Sequence, residues 1–459
     1  MRITNQMTTN RLLLNMNRNA TAADRFMMQL TTGKRIHNPS DDPIIASRAL
    51  RFRTNVSEVE QFQRNAGQAT SWMEVTESAM GNMQSIMKTI NTRLVQAATG
   101  TYTIGQRQTI AAEIDMFFRQ MNSEMNTTFA GRYVFSGFRT DRPPVITNDT
   151  MFTGDATITH GVNFIDIETL DQMFWKNSAG DWEMFPHTDD AFQTHKLKLP
   201  YMNTAGRYMS TPQFTNAATG LDILPPVTTA PTGPPAANPF HFAEVTGNIV
   251  FIPETGEVII PTSRLSEFED GVNVTYDIDG VYEGELNPFV FFHTEYDGQI
   301  FTVGDQELRF ELGTNVRLAI NSQAPDAYPW QFFANMMSLK NFVNSMEVPP
   351  NATEQEAIEF EAFFRESLYQ KFTNMISSME GHVQHSATEY TTMGSRMNRV
   401  ELISNRLLEN RDTFTELMSE NENVDFVEVM MRFNAAEAIF QAAMQVGARI
   451  AQLSIVNFL

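Results

Sequence analysis

His382 and His385, three residues apart with Glu380 and Glu389 close by, are the side chains of this sequence best spaced to share a metal ion on one side of a helix. Hydrophobic residues recur at helical spacing on both sides of them, so the expected role of the pair is a solvated face of a long helix. Asp277-Ile278-Asp279-Gly280 opens like a calcium loop. Glu285 and Pro288 then arrive too early, without the remaining oxygen ligands, and a turn between strands is expected instead. Asp41 and Asp42 are adjacent carboxylates, but acid-base catalysis needs a nucleophile or partner base beside them, and their neighbours supply neither. No His-Glu-x-x-His run occurs. Gly131 and Gly137 stand six apart with no Lys-Ser or Lys-Thr after them, so no phosphate loop forms there. Zero cysteines remove thiolate nucleophiles, thiolate metal sites and disulfides together. No catalytic residue, cofactor site or metal site is expected.

Such a chain has to work through its surfaces, and its composition bounds which ones. The sequence has 33 basic and 54 acidic side chains, a formal charge of -21, which repels phosphate backbones and anionic lipid. Neither nucleic acid nor membrane is an expected partner. No run nears the roughly 18 apolar residues of a membrane span. The segment Met1 to Ala20 is polar apart from Leu12, Leu13 and Leu14, so an ordinary cleaved signal peptide is not expected. At 459 residues, two or more domains are expected.

Two long seams with alternating spacings of three and four mark helices that pack on other helices. The first runs from Val59 through Phe62, Ala66, Ala69, Met73, Thr76, Met80, Met83, Met87, Ile90 and Leu94 to Ala97. The second runs from Phe372 through Met379, Ser386, Met393, Val400, Leu407 and Phe414 to Met418. Long helices at opposite ends of one chain predict an antiparallel pair with the termini together. Asp42 is placed to cap a helix starting at Pro43. Asp425 and Glu428 form a capping-box pair opening a last helix with the seam Val429, Phe433, Ala436, Phe440, Ala443, Gly447 and Ile450. A shorter helix is expected from Gln106 to Phe129, with Ile110, Ile114, Phe117, Met121 and Met125 on one side. The many methionines suit core filling, and their adaptability would also suit an interface with more than one packing.

Between about Pro143 and Pro329 the texture changes to Pro, Gly and Thr punctuation with short alternating strands. Asn248 to Pro253 should return to Val258, Ile259 and Ile260, and Glu295-Tyr296 should return through Asp297-Gly298 to Ile300-Phe301. Ala230 to Pro235 reads as an exposed linker or loop. The expected fold is therefore mainly α with an inserted β-rich module. Its parts are terminal coiled-coil helices over 1-42 and 420-459, partly disordered in the monomer, a helical rod over 43-140 and 330-419, and the module over 141-329.

An ordered set of segments carries a family resemblance. Met1-Arg2-Ile3-Thr4 is followed by Leu30-Thr31-Thr32-Gly33-Lys34-Arg35-Ile36, Pro39-Ser40-Asp41-Asp42-Pro43 and Gly131-Arg132-Tyr133-Val134-Phe135-Ser136-Gly137. Near the other end come Gly394-Ser395-Arg396-Met397-Asn398, Asn423-Val424-Asp425, Phe433-Asn434-Ala435-Ala436-Glu437 and the final Gln452 to Leu459. Together they resemble the flagellar hook-filament junction proteins, the third hook-associated proteins, relatives of bacterial flagellin. Flagellins usually follow the paired aspartates with small residues, whereas Pro43-Ile44-Ile45 follows here, and they seldom end in Asn-Phe-Leu.

The resemblance implies a flagellin-like antiparallel long-helix rod formed by both chain ends, and a structural subunit rather than an enzyme. It implies self-assembly into a ring between the first hook-associated protein and flagellin, an export chaperone before secretion, and an extracellular place in the flagellum after type III export. Candidate assembly residues are Val429, Phe433, Phe440, Ile450, Leu453 and Phe458, with Asp42 and Asp425 as helix caps. The alternatives are a filament flagellin, or a secreted enzyme or adhesin whose middle module binds a ligand through aromatics such as Trp175, Trp182, Phe289, Phe291 and Phe292.

Overall fold

The computed structural model describes residues 5–99, 102–145, 155–162, 164, 167–170, 173–176, 182–185, 194–201, 208–223, 226–229, 239–253, 256–279, 293–296, 299–301, 306–344 and 354–456. Three helices come first: α1 (Asn5–Thr32), α2 (Pro43–Ala97) and α3 (Ile104–Met125). The β-rich stretch holds β1 (Thr128–Phe129), β2 (Arg132–Tyr133), β3 (Ala156–Val162), β4 (Glu168–Leu170), β5 (Met173–Lys176), β6 (Trp182–Phe185), β7 (Thr194–Lys198), β8 (Gln213–Asn216) and β9 (Thr228–Thr229). It continues with α4 (Pro239–Thr246), β10 (Val250–Ile252), β11 (Glu257–Ile260), a 3-10 helix (Thr262–Phe268), β12 (Val272–Ile278), β13 (His293–Tyr296), β14 (Gln299–Phe301), β15 (Arg309–Gly313) and β16 (Val316–Ala319). Four helices close the chain: α5 (Ala324–Ala327), α6 (Trp330–Asn344), α7 (Glu354–Glu422) and α8 (Phe426–Val456).

The chain divides into two compact units. The first comprises Met1–Gln68, Glu311–Arg317 and Val400–Leu459. Within it α1 packs on α8, and α1 ends where α8 begins, so the two run antiparallel. The start of α2 meets the end of α7, where Asn421 Nδ2 donates to the Ile45 carbonyl at 3.1 Å.

The second unit comprises Ala69–Phe310 and Leu318–Arg399. Its helical core is the predicted α2 seam: Ala69, Met73, Met80, Met83, Met87, Ile90, Leu94 and Ala97 are fully enclosed, and so is Thr76, whose hydroxyl donates to the Trp72 carbonyl at 2.9 Å. A helical hydroxyl can enter a core when its own preceding turn supplies the acceptor. Arg107 is also buried; it donates to the Ala97 carbonyl at 3.0 Å and the Thr99 carbonyl at 3.1 Å, satisfying carbonyls that the end of α2 leaves open.

Two expectations for α3 need correction. The helix starts earlier, at Ile104, because Thr103 and Gln106 form a complete capping box, and it stops at Met125 as Thr128–Phe129 turn into β1. Phe118, not Phe117, is the buried phenylalanine. Its ring is wedged between Phe332 and Phe333 of α6 at 5.8 Å and 5.4 Å, a contact no single-helix pattern can choose.

Two five-stranded sheets form the β-rich part, ordered β4-β7-β11-β10-β9 and β14-β13-β3-β12-β8. The expected returns pair antiparallel, β10 with β11 and β13 with β14; the turn residues Asp297 and Gly298 and the linker Ala230 to Pro235 lie outside the described residues. In the second sheet β3 and β12 share one alternation of buried and open positions across seven paired residues, which fixes their register. Asp277 and Ile278 belong to β12 rather than to a turn, and Asp277 accepts the Thr157 hydroxyl at 2.6 Å. In the first sheet Glu257 sits buried between Lys196 and Lys198, at 3.1 Å and 3.7 Å. Burial pushes its carboxyl up, but Lys196, Lys198 and Lys371 together bring it down to about 2.

Candidate assembly surfaces

The two ends of the chain are clasped in the first unit by the segment after α1 and the segment before α8. Gly33, at a φ of 69°, ends α1 in the left-handed conformation that glycine adopts without strain. The following backbone then pairs with the far end of the chain: Arg35 N donates to the Glu422 carbonyl at 2.7 Å, and Val424 N donates to the Gly33 carbonyl at 3.1 Å. Buried Gln29 closes the loop through its Nε2 on the Arg35 carbonyl at 2.7 Å. Arg53 holds the buried Glu422 carboxylate by two bonds of 2.7 Å each, and Lys34 Nζ lies 3.3 Å from it. The hydrogen bond from Arg53 outweighs burial and keeps this carboxyl below the usual range. Glu422 has no distinguishing pattern in sequence; its position one residue before Asn423-Val424-Asp425 was the only available signal.

On α8, Val429 and Ala436 are buried, and Phe433, Phe440, Ala443 and Gly447 are half-buried, while the residues between them are exposed. This row belongs to the face packed on α1, where Ala23, Phe26, Gln29 and Leu30 are among the covered positions. Ile450 and Leu453 lie in α8, but their side chains fall outside the described residues, as does Phe458 entirely. Further apolar side chains, which periodicity did not single out, are exposed: Val427, Met430, Met431, Ile439 and Met444 on α8, with Met27 and Met28 on α1.

The caps are local. Asp42 Oδ1 accepts from Ile44 N at 3.0 Å and Ile45 N at 3.1 Å, and Asp425 Oδ1 accepts from Val427 N at 2.9 Å and Glu428 N at 3.2 Å. Glu428 does not complete a capping box; its carboxylate bonds Arg432 one turn later, an alternative the sequence equally permits. Asp41 shapes the loop before α2, accepting from Asn38 N at 3.0 Å and His37 N at 3.1 Å, and these backbone donors lower its pKa.

In the second unit the segment Gly131 to Gly137 forms a junction. Gly131 turns β1 into β2 at a φ of 77°, and Gly137, at 58°, exposes the next amide to Gln306. Phe138 N donates to Gln306 Oε1 at 2.9 Å, and Asn321 Nδ2 donates to the Gln306 carbonyl at 2.9 Å. Arg396 of α7 donates to the Asn321 carbonyl at 3.0 Å. His382 is half-buried rather than set on a solvated face: it lies edge-on to Phe332 at 5.9 Å, and burial lowers its pKa to about 4. His385 is exposed and its Nε2 lies 2.7 Å from the Asp326 carbonyl oxygen. Among the described residues no group of three potential ligands could hold a metal ion, and no helix is long and apolar enough to cross a membrane. Along α7 a shallow groove is lined by Gln384, Ala387, Thr388, Thr391, Thr392 and Ser395. Its four hydroxyls donate to carbonyls one turn earlier, so none is set against a base.

Charge is unevenly divided. Residues 141–329 contain 27 acidic and 8 basic side chains, a net -19, whereas the other parts contain 27 acidic and 25 basic. The helical ends are therefore almost neutral and can pack against copies of themselves without strong repulsion.

Comparison with known proteins places these ends. Residues 3–140 match the bacterial flagellin N-terminal helical region and residues 376–459 the bacterial flagellin C-terminal helical region. The chain is 30% identical over 133 residues to flagellar hook-associated protein 3 of Escherichia coli K12, covering 29% of this chain and 42% of that protein. It is 32% identical over 117 residues to the protein of the same name from Salmonella typhimurium, covering 25% and 37%. It spans less than half the length of these curated relatives. A crystal structure of flagellar hook-associated protein 3 from Legionella pneumophila aligns with a TM-score of 0.34 and 12% identity, over 80% of this chain and 97% of that one.

Proposed function

Both ends of this chain belong to the bacterial flagellin family, and from that premise we propose that the protein is a structural subunit of the flagellum, the one that joins hook to filament. The observation that carries this reading is the clasp of residues 33–35 on residues 422–424, which brings two flagellin-like helical regions into one packing unit. The chemistry fits a part that assembles: hydroxyls and carboxylates are used for caps, clasps and core bonds. Its work is to pack identical copies by heterologous contacts into a closed ring, with the first hook-associated protein on one side and flagellin on the other. Residues 43-140 and 330-419 serve as the stem, the terminal helices as the joining surface, and the acidic module 141-329 as the part held away from neighbours. The subunit reaches the outside by flagellar type III export, with an export chaperone covering its terminal helices beforehand. It is not an enzyme in this reading.

A filament flagellin is the second reading, since the matching family descriptions are those of flagellin. The names of the two relatives above and the Pro43-Ile44-Ile45 sequence after the paired aspartates favour the junction. A strain lacking this gene decides. The junction reading expects hooks without filaments and flagellin shed into the medium; hooks that still carry filaments would overturn it.

A further inference from the structure

Within the first unit charge is segregated by chain end. Residues 1–56 carry nine basic and three acidic side chains, and residues 400–459 carry four basic and nine acidic. On α1, Arg11, Arg18 and Arg25 are exposed and make no ion pair among the described residues, although Arg25 acts on Asp41 at longer range. On α7, Glu409, Glu416 and Glu420 are exposed and likewise make no ion pair among the described residues. Asp412, one turn from Glu409 and Glu416, is bonded to its neighbour Arg411.

Both sets are stripes. Seven residues are close to two helical turns, so each set spans an arc of only about 40° on its helix. Both face away from their own core: Arg25 follows the covered Ala23 by two residues, Glu409 follows buried Leu407, Glu416 follows half-buried Phe414, and Glu420 follows half-buried Met418. One step of each stripe matches, since Arg18 to Arg25 and Glu409 to Glu416 each advance about 10.5 Å along a helix, while Glu420 follows Glu416 by a single turn of about 6 Å. Two stripes of opposite charge on one chain, sharing one seven-residue step and neither ion-paired within the chain among the described residues, suit a head-to-tail contact.

We propose that the arginine stripe Arg11, Arg18 and Arg25 of α1 docks on the carboxylate stripe Glu409, Glu416 and Glu420 of α7 in a second copy of this chain. This contact rests on the self-assembly reading above and names the surfaces it uses. The guanidinium forks supply directional bonds to carboxylates, and the matching seven-residue steps Arg18 to Arg25 and Glu409 to Glu416 set the register between copies. The exposed apolar residues Leu14 on α1 and Leu417 on α7 flank the stripes and become covered with them.

Charge reversal tests it in the full chain, expressed in a strain that lacks the gene. Arg11→Glu with Arg18→Glu and Arg25→Glu is one variant, Glu409→Arg with Glu416→Arg and Glu420→Arg the second, and all six changes the third. Each single-stripe reversal should lower the number of filamented cells about tenfold or more, and the six-fold variant should recover to within about threefold of wild type, because like charges then face opposite ones again. Thermal melting of the purified variants checks that all of them fold. If folded single-stripe variants attach filaments as wild type does, or if the six-fold variant folds but recovers nothing, the pairing is wrong. If the wild-type chain itself restores no filaments, the assembly reading is what fails.

Discussion

Arg53 and Glu422 stand 369 positions apart in sequence, yet the guanidinium of one grips the carboxylate of the other with two bonds of 2.7 Å. The carboxylate is buried while Arg53 is largely exposed, so the acidic partner is the more sensitive one to remove. Glu422→Ala removes the anion that Arg53 and Lys34 share, leaving Lys34 its bond to Asn423 Oδ1, and loosens the backbone clasp beside them, at a cost of about 1–2 kcal/mol after allowance for screening of the exposed arginine. The expected result is faster hydrogen exchange at the Arg35 and Val424 amides. Unchanged protection there would show that the backbone bonds hold without the ion pair.

The same pair gives a pH dependence of known sign. Glu422 has its carboxyl pKa lowered in the folded chain, first by the Arg53 hydrogen bond, so its contribution is present above the ordinary carboxylate range and is lost as pH falls. Clasp protection followed from neutral pH downward should be flat until that range and then decline. In Glu422→Gln the decline at these two amides should be weaker.

Much of the helical architecture was legible because its signals are local and periodic. The seam from Val59 to Ala97 repeats often enough to identify one face, and Asp42-Pro43 marks the start of α2 through its own backbone limits, whereas the end of α1 at Gly33 lies inside the stretch 1-42 expected to be helical. Phe117 and Phe118 show where periodicity stops: adjacent residues of one kind differ only by which α6 ring meets them, and that is a long-range fact. His382 was misjudged for the same reason, since Phe332 comes from a helix some fifty positions earlier. The segment Gly131 to Gly137 could be matched as a motif, but its partners Gln306 and Asn321 lie beyond the β-rich insertion and no spacing announces them. In the middle, strand pairs joined by tight turns were visible, whereas the β3-β12 pairing that centres a sheet closes over more than a hundred residues.

Gly137 is the position of that motif where substitution should matter most. Its φ is 58°, and a Cβ there would lie 2.4 Å from Gln306 Oε1, the atom that accepts from Phe138 N. Gly137→Ala should destabilise the second unit by about 1–3 kcal/mol, combining left-handed strain with displacement of Gln306. Gly131→Ala has the same strain without the clash, because open space surrounds Gly131. The melting temperature of the first variant should therefore fall further; equal losses would mean that the Gln306 contact is unimportant.

The second unit should weaken in mild acid. His160 is fully buried beside Trp330, and burial lowers its pKa from 6.5 to about 3; His382 is lowered by burial to about 4. Both are neutral when folded and take up protons once unfolded, so stability is complete above pH 6.5 and declines as pH falls toward the folded values. His382→Gln should reduce the slope of melting temperature against pH between about 6.5 and 4. An identical slope in that variant would mean that His382 already carries its proton in the folded chain.

The α8 seam offers the sharpest test of the assembly mechanism. Phe433 and Phe440 face α1 but are only half-buried, so the isolated chain gains less from them than a fully enclosed phenylalanine would give. Truncating a fully buried phenylalanine costs about 3–5 kcal/mol, and in the monomer Phe433→Ala with Phe440→Ala should cost clearly less per site. In a closed ring each subunit would cover the rest of these rings with its neighbour, and the deficit would then recur at every joint. The double variant should therefore keep the melting of the second unit nearly unchanged, since neither residue belongs to it. Filaments on hooks should nevertheless be lost. Filament attachment at the wild-type level in this variant would mean that the α8 seam serves only its own chain, and that copies join through the exposed Val427, Met430 and Met431 or through the charged stripes alone.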